Sequence, residues 1–432
     1  MKNTDAKVAF HTLGCKLNYA ETSTIARQFE DAGYKRIDFQ EIADLYVINT
    51  CSVTDNADRE FRKIVNRVKR LAPDSKIAVV GCYAQLQPDV IVKSAAVDLV
   101  LGTKEKYNIL EHLNSSSDTT EVTPALSSNV EGLHSCVPSY SLGERTRSFL
   151  KIQDGCDYPC TYCTIPLARG VSRSVDLDIL IQQANEIASR GVKEIVLTGV
   201  NVGDYQVKHE PALLKLLESI DQVSGIERIR ISSIEPNLLT DEIVRFVSIS
   251  QKMLPHFHIP LQSGSNDILG RMQRRYKVEK FVDRINEINT ILPNVGIGVD
   301  VIVGFPGETE KEFLETKSLL SSLNISYLHV FTYSERPDTP AIDYSGQIPM
   351  AERKSRNRTL TKLSEAKNQA FILSQLNQTR RVLFETCQDG YLSGMTDNYL
   401  KIFVPNDESH LINNIVEVEL TAFKNGKLYG SI

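Results

Sequence analysis

Three cysteines, Cys156, Cys160 and Cys163, stand at CxxxCxxC spacing in the run Cys156-Asp157-Tyr158-Pro159-Cys160-Thr161-Tyr162-Cys163, with no fourth close behind. A structural zinc site takes four ligands in a closed tetrahedron. A [4Fe–4S] cluster held by three thiolates leaves one iron open to a further ligand. Short cysteine triplets also occur in zinc ribbons, so the remaining cysteines carry much of the decision.

There are eight in all, and Cys15, Cys51 and Cys82 form a second set. Each follows a strand-like run and precedes a helix-like one: Val8–Leu13 leads to Gly14-Cys15, Leu45–Thr50 to Cys51, and Lys76–Gly81 to Cys82. Strands alternating with helices imply a parallel sheet. The carboxyl ends of its strands share one edge, where ligands bind. Three cysteines distant in sequence can therefore converge there. Any one alone would read as a buried structural cysteine; three at equivalent strand ends read as a second three-thiolate site. Cys136 and Cys387 have no such partners and read as incidental. The start MKNTDAKVAFHTLG has no uninterrupted apolar stretch of the secretory kind. No run approaches the roughly 20 apolar residues that span a bilayer. Reduced, metal-binding cysteines in a cytoplasmic enzyme are thus expected, rather than a disulfide framework.

The elements that must position these residues fall into successive segments. The length of 432 residues suggests about three domains. Residues 1–113 read as βαβαβα. In Asp55–Leu71, Asp55 and Asp58 suit a helix N-terminus, and Phe61, Ile64, Val65, Val68 and Leu71 form the apolar stripe. Arg59, Arg62, Lys63, Arg67 and Arg70 share the other face. The net charge of −5 does not advertise nucleic-acid binding. This face is either an ordinary solvated one or, being of one sign and just beyond Cys51, a phosphate-contacting one. Residues 114–143 form a Ser/Thr/Asn/Pro-rich linker. Residues 144–376 repeat strand–helix units, with strands expected at Ser148–Gln153, Glu194–Thr198, Arg228–Ser232, Phe257–Pro260, Gly296–Val303 and Tyr327–Thr332. Helices are expected at Leu177–Arg190, Lys280–Leu292 and Thr309–Leu323, with a long basic helix over 349–376. Six such units are too few to close an eightfold barrel. Residues 377–432 carry short β runs at Arg381–Thr386, Tyr399–Val404, Ile415–Thr421 and Leu428–Ile432, the pattern of a small β-barrel.

Polar groups end several core strands: Leu197-Thr198-Gly199-Val200-Asn201, Ile231-Ser232-Ser233-Ile234-Glu235-Pro236, the stretch from His256 through Gln262 to Ser265, and the stretch from Gly298 through Asp300 to Glu308. Singly, each could be ordinary turn chemistry. His256 and His258 alternate with apolar residues and read as structural histidines rather than metal ligands.

With these residues in place, the chain resembles the radical SAM methylthiotransferases across nearly its whole length. CxxxCxxC with an aromatic before the last cysteine is the signature of radical SAM enzymes. The strings TLGCKLNYAET around Cys15, INTCSVT around Cys51, VVGCYAQ around Cys82 and CTIPLARGVSRS from Cys163 resemble those of the methylthiotransferases. The resemblance implies an α/β fold: an N-terminal parallel α/β domain with an auxiliary cluster on Cys15, Cys51 and Cys82, an open partial (β/α) TIM-type barrel as the radical SAM core, and a small TRAM-like C-terminal β-barrel. It implies two [4Fe–4S] clusters and S-adenosylmethionine, the latter held by Tyr162, Gly199, Asn201, Ser233, Glu235, Gln262 and Asp300. One S-adenosylmethionine methylates sulfur and another yields the deoxyadenosyl radical. The implied partners of a monomeric enzyme are tRNA, met at its anticodon stem-loop, an electron donor such as flavodoxin or ferredoxin, and a sulfur donor; no membrane is involved. TLGCKLN is similar to the branch that methylthiolates carbon 2 of N6-threonylcarbamoyladenosine. Branches acting on isopentenyladenosine or a ribosomal protein are the alternatives.

Two departures stand out. Asp338 occupies the usual glycine of the family's RxGTPA stretch, which puts that backbone in doubt. The C-terminal segment holds more acidic than basic residues, so RNA contact there would rest on Arg380, Arg381 and loop aromatics. A cobalamin-dependent methylase would show a DxHxxG motif, which is missing here. A zinc-stabilised RNA-binding protein would leave the polar strand ends unexplained.

Overall fold

Near-continuous apolar runs such as Leu45–Thr50 suit strands buried on both faces, and that strand is buried at all six positions. The computed structural model describes residues 5–52, 55–115, 126–130, 132–143, 146–405 and 408–432. The stretch 116–125 and residue 131 of the expected linker lie outside the described residues, as do the side chains of Asp55 and Asp58. The chain forms two units, one of residues 1–142, 149–157 and 163–175, the other of 143–148, 158–162 and 176–432.

In the first unit five strands form one parallel sheet, in the spatial order Lys35–Ile37, Lys7–Thr12, Leu45–Thr50, Lys76–Gly81, Leu99–Leu101. Helix Asp55–Leu71 packs Phe61, Val65 and Val68 against one face, with Tyr46, Ile48, Ile77 and Val79. Helix Lys16–Asp31 packs Ile25 and Phe29 against the other, with Val8, Val47, Ala78 and Val80. Burying each of these five helix side chains contributes roughly 1.5–3 kcal/mol. The sheet's carboxyl edge is thereby fixed in place.

In the second unit Glu194–Thr198 pairs in parallel with Arg228–Ile231, and His256–Gln262, Gly296–Val303 and Tyr327–Thr332 pair in parallel with one another. Single bridges, Ile229 to Met253 and Ser233 to His258, connect the two sets. The expected strand at Ser148–Gln153 forms as Arg147–Lys151 and Gln153–Asp154, of which residues 149–154 belong to the first unit. Among the described residues, Tyr327–Thr332 pairs on one side alone. Its other edge is satisfied by helix Met350–Ser374. Ser364 Oγ accepts the Leu328 N–H at 2.8 Å and donates to the Leu328 carbonyl at 3.0 Å, while Asn357 Nδ2 donates to the Val330 carbonyl at 3.0 Å. Covering an edge in this way blocks further strand addition and leaves the barrel partial.

That helix carries less free charge than its sequence suggests. Arg353 is buried against the Tyr333 carbonyl and Glu335, and Arg356 against Glu308 and Glu352. Lys367 donates to the carbonyls of Ser321 and Leu323.

The C-terminal segment is a closed five-stranded barrel in the order Thr379–Gln388, Tyr391–Thr396, Lys401–Pro405, Lys427–Ser431, Ile415–Lys424. Strand Tyr391–Thr396 is an addition to the four expected runs. Its Gly394 lies against the neighbouring strand so closely that a Cβ would stand 2.2 Å from the Leu383 carbonyl oxygen. The barrel also fixes the core. Arg228 donates to the carbonyls of Met395 and Thr396, and the Asn398 carbonyl approaches Gly296.

Candidate functional site

Cys15, Cys51 and Cys82 all fall at strand carboxyl ends of the parallel sheet. Cys15 caps helix Lys16–Asp31, Cys51 follows Leu45–Thr50, and Cys82 opens helix Cys82–Leu86 directly after Lys76–Gly81. Gly14 and Gly81 take φ of +104° and +101°, a conformation other residues rarely adopt. A Cβ on Gly14 would stand 3.0 Å from the Cys51 sulfur, so the glycine leaves that thiol its space. Side-chain hydrogen bonds tie the three loops together. Asn18 Nδ2 donates to the carbonyls of Leu13 (2.9 Å) and Thr50 (3.1 Å), and Thr50 Oγ1 donates to the Val80 carbonyl at 2.6 Å. A buried cation stands beside the Cys82 thiol and its charge also reaches Cys15.

That cation is Arg169, which ends helix Ile165–Arg169 and is fully buried. Its Nε donates to Cys82 Sγ at 3.3 Å and its Nη2 to Asn18 Oδ1 at 2.6 Å. Its Nη1 reaches Glu21 at 3.0 Å and Asp154 at 2.8 Å. Lys106 and Lys151 also pair with Glu21, at 2.7 and 2.9 Å. Burial alone would raise the Glu21 carboxyl. The charges of Arg169, Lys106 and Lys151 outweigh that and hold it well below the usual carboxylate range. The ion cluster thus locks Arg169, and through it the Cys82 thiol. Sequence reasoning missed this role, because an arginine inside LARG reads as surface charge.

The core triplet lies on the loop between strand Gln153–Asp154 and helix Ile165–Arg169. Gly155 before it takes φ +72°, and a Cβ there would clash with the Val171 carbonyl oxygen at 1.9 Å. The Ile165 N–H points to Cys163 Sγ at 3.5 Å. Cys160 is buried, and Arg274 Nη1 donates to its sulfur at 3.0 Å. Burial pushes the Cys160 thiol up, and Arg274 pulls it down. The same guanidinium reaches the Tyr162 hydroxyl at 3.4 Å and forms an ion pair with Glu235. Burial pushes the Glu235 carboxyl up, with Arg274 again opposing. Arg274 thereby gathers one cysteine and two of the expected cofactor residues, Tyr162 and Glu235. The run Arg274-Arg275-Tyr276 was its only signal in sequence.

The other expected cofactor residues stand at neighbouring strand ends. Gly199 and Asn201 follow Glu194–Thr198, Ser233 follows Arg228–Ile231, and Gln262 closes His256–Gln262. A register shift between Pro260 and Gln262 puts Gln262 at φ +64°, a strained backbone that re-aims its side chain. Gln262 Oε1 and Ser232 Oγ are buried polar atoms with no hydrogen-bond partner in the protein, which suits a polar ligand such as S-adenosylmethionine. Asp300 differs: its carboxylate is bound by His258 and His329. His256 is structural as expected, bonded to the Tyr327 hydroxyl at 2.9 Å. Asp338 takes φ +62°, so the turn a glycine would make is kept by an aspartate.

Residues 7–102 match the family described as Uncharacterized protein family UPF0004, 150–320 the Radical SAM superfamily, and 373–432 the TRAM domain. The threonylcarbamoyladenosine tRNA methylthiotransferase MtaB of Bacillus subtilis (strain 168) is 41% identical over 96% of this chain and 94% of its own. The chain belongs to the radical SAM tRNA methylthiotransferases. A tRNA-2-methylthio-N(6)-dimethylallyladenosine synthase of Alkaliphilus oremlandii is 33% identical over 99% of this chain and 92% of its own. Among solved structures, the radical S-adenosylmethionine methyltransferase TsrM from Kitasatospora setae superposes with a TM-score of 0.59 at 14% identity, covering 78% of this chain and 75% of that one. That likeness is one of fold. A radical SAM methylthiotransferase uses a [4Fe–4S] cluster and S-adenosylmethionine, and among the described residues no helix is long and apolar enough to cross a membrane.

Two surfaces of this methylthiotransferase carry exposed cations or aromatic rings. Arg59, Arg62, Lys63, Arg67 and Arg70 are all exposed on helix Asp55–Leu71. On the C-terminal barrel the expected arginines are engaged: Arg380 binds Gln375 and Asp397, and Arg381 donates to the Gln251 carbonyl. A cleft of about 470 Å³ opens instead among Tyr391, Phe403, Tyr429, Lys401 and Lys427. Lys401 and Lys427 lie 5.3 and 5.0 Å from the Phe403 ring centroid. These residues alternate along three neighbouring strands, a convergence that acidic composition concealed.

Proposed function

We propose that this enzyme transfers a methylthio group to carbon 2 of N6-threonylcarbamoyladenosine beside the tRNA anticodon. The carrying observation is the match, over nearly the full length, to enzymes named for that base at 41% and 38% identity. Cys156, Cys160 and Cys163 would hold the radical cluster, and Cys15, Cys51 and Cys82 an auxiliary [4Fe–4S] cluster. When bound, these groups supply electron transfer to the sulfonium and a carrier for sulfur. The chain's own part is positional. Arg274 fixes Cys160, Tyr162 and Glu235 in one arrangement, and Arg169 with Asn18 fixes the three N-terminal loops. Cys160 is buried and the side chains of Arg274 and Glu235 are mostly covered, which limits water around the reacting groups. The test is anaerobic reaction of the reconstituted enzyme with tRNA carrying the threonylcarbamoyl base or the isopentenyl base, followed by nucleoside mass spectrometry. The 2-methylthio product should form from the first; formation only from the second would assign the enzyme to the other branch.

Both RNA surfaces serve this reading. Bases stack on exposed aromatic rings, and lysines meet phosphates. Two double variants, Arg62→Glu with Arg67→Glu and Lys401→Glu with Lys427→Glu, are each expected to weaken tRNA affinity. Each should also flatten its salt dependence by about one unit of log–log slope per lost phosphate contact. Titrations at two salt concentrations decide it; a parental affinity and slope in either variant would mark that face as merely solvated.

A further inference from the structure

The core sheet carries a polar trio unused so far. On its three paired strands, one alternating set, including Phe257, Ile259, Val299 and Val301, is fully buried and apolar. The other set includes His258, Asp300 and His329. Asp300 Oδ1 lies 2.7 Å from His258 Nε2 and 3.2 Å from His329 Nδ1, and the two rings stand 4.9 Å apart at 81°. Burial would raise the Asp300 carboxyl, but hydrogen bonds and charge from the two histidines hold it down, at about 2. The trio is therefore built around a carboxylate.

Toward the amino ends of the strands the face is filled. Tyr399 stacks on His256 at 4.3 Å, and Arg230 lies 4.8 Å over the Tyr399 ring. Gly298 makes room for Tyr327, since a Cβ there would stand 2.3 Å from its ring. Toward the carboxyl ends come Gln262 and Glu235, and Asp300 is close enough to Glu235 for its charge to add to the burial that raises that carboxyl. One member of the trio stays open: the His329 side chain is 49% exposed. Phe331, two residues on along the same face, is 41% exposed. With Nδ1 tied to Asp300, Nε2 remains as the outer polar atom of His329. A fixed hydrogen-bonding group thus sits beside an exposed aromatic ring, next to the proposed cofactor residues.

We propose that His329, held by Asp300 and flanked by Phe331, receives the polar substituent of the substrate base and so selects a hydroxyl- and carboxylate-bearing tail over an apolar one. This rests on the reading that the substrate is threonylcarbamoylated. A tail of hydrogen-bonding groups meets partners here. An apolar tail would cover His329 Nε2 without pairing it, and such mismatches give strong discrimination.

The test compares affinities of the full-length reconstituted enzyme for one tRNA in three forms, with the threonylcarbamoyl base, the isopentenyl base or unmodified adenosine. The parent should favour the first. His329→Leu should shrink that preference by about tenfold or more, the usual consequence of losing a hydrogen bond to a polar or charged group. His329→Gln, which keeps a polar atom at similar reach, should recover part of it. A parent without preference overturns the substrate reading and this assignment together. A parent with preference whose His329→Leu variant keeps it overturns this assignment alone. So does an equal loss for all three tRNAs, which would place a backbone phosphate at His329. Two imidazoles and a carboxylate also make a metal ligand set, and the three ligand atoms lie within 4.8 Å of one another. Stoichiometric zinc or manganese lost on His329→Leu would make the trio a metal centre and likewise overturn the proposal.

Discussion

Cys160→Ala is expected to abolish formation of deoxyadenosine from S-adenosylmethionine, reducing it to the level without enzyme. Three thiolates are the minimum that holds a [4Fe–4S] cluster while leaving one iron open. Among the described residues, Arg274 Nη1 donates to the Cys160 sulfur at 3.0 Å while also holding Glu235 and Tyr162. Losing Cys160 therefore removes a ligand and also frees the arginine that orders the neighbouring side chains. Positioning effects of this kind are worth several kcal/mol in a barrier, and each 1.36 kcal/mol is about tenfold in rate. The assay is anaerobic, with dithionite as reductant and no tRNA. Deoxyadenosine at the parental rate would remove the triplet from the reaction.

Glu21→Ala is expected to destabilise the first unit by roughly 3–5 kcal/mol, the range for breaking a buried ion pair by deleting one partner. Glu21 is fully buried and meets Lys106, Lys151 and Arg169 at 2.7, 2.9 and 3.0 Å. Without it those cations keep Asp154 as the remaining carboxylate in their cluster. Lys106→Met should be far milder. Burial lowers the Lys106 ammonium against the pull of Glu21, so removing that charge relieves a desolvation cost. Urea unfolding of both variants, followed by a probe in the first unit, separates these cases. Equal small shifts would show that the cluster is worth no more than a surface network.

Much of this site was legible because its residues recur with the sheet. Cys15, Cys51 and Cys82 each follow an apolar strand, and a parallel sheet must place such residues on one edge. The strands around them were equally plain, being six residues long around an unbroken run of three or four apolar ones. Lys35–Ile37 and Leu99–Leu101 escaped because three residues show no periodicity. Tyr391–Thr396 escaped because Ser393 and Gly394 interrupt its apolar pattern, and Gly394 is required by a close backbone approach that only the fold reveals. Arg169 and Arg274 were illegible for a different reason. A buried arginine is defined by its partners, here Glu21, Asp154 and Cys82 in one case and Glu235 and Cys160 in the other, and those lie far off in sequence. The same holds for Arg353 and Arg356, which look like free charge on a long helix and are in fact neutralised by Glu335 and Glu308. The contacts of Asp300 were hidden for the same reason: His329 stands opposite it on one adjacent strand, and His258 lies diagonally across on the other.

The proposed division of work between two separate three-thiolate sites has the core triplet generating the radical and the N-terminal triplet carrying sulfur. It is tested most directly in the triple variant Cys15→Ala, Cys51→Ala, Cys82→Ala, reconstituted anaerobically. Iron and sulfide content should fall to about half of the parental value, as loss of one of two [4Fe–4S] clusters requires. Deoxyadenosine should still form, while methylthiolated nucleoside disappears. Full iron content in that variant, or methylthiolated product from it, would contradict the claim.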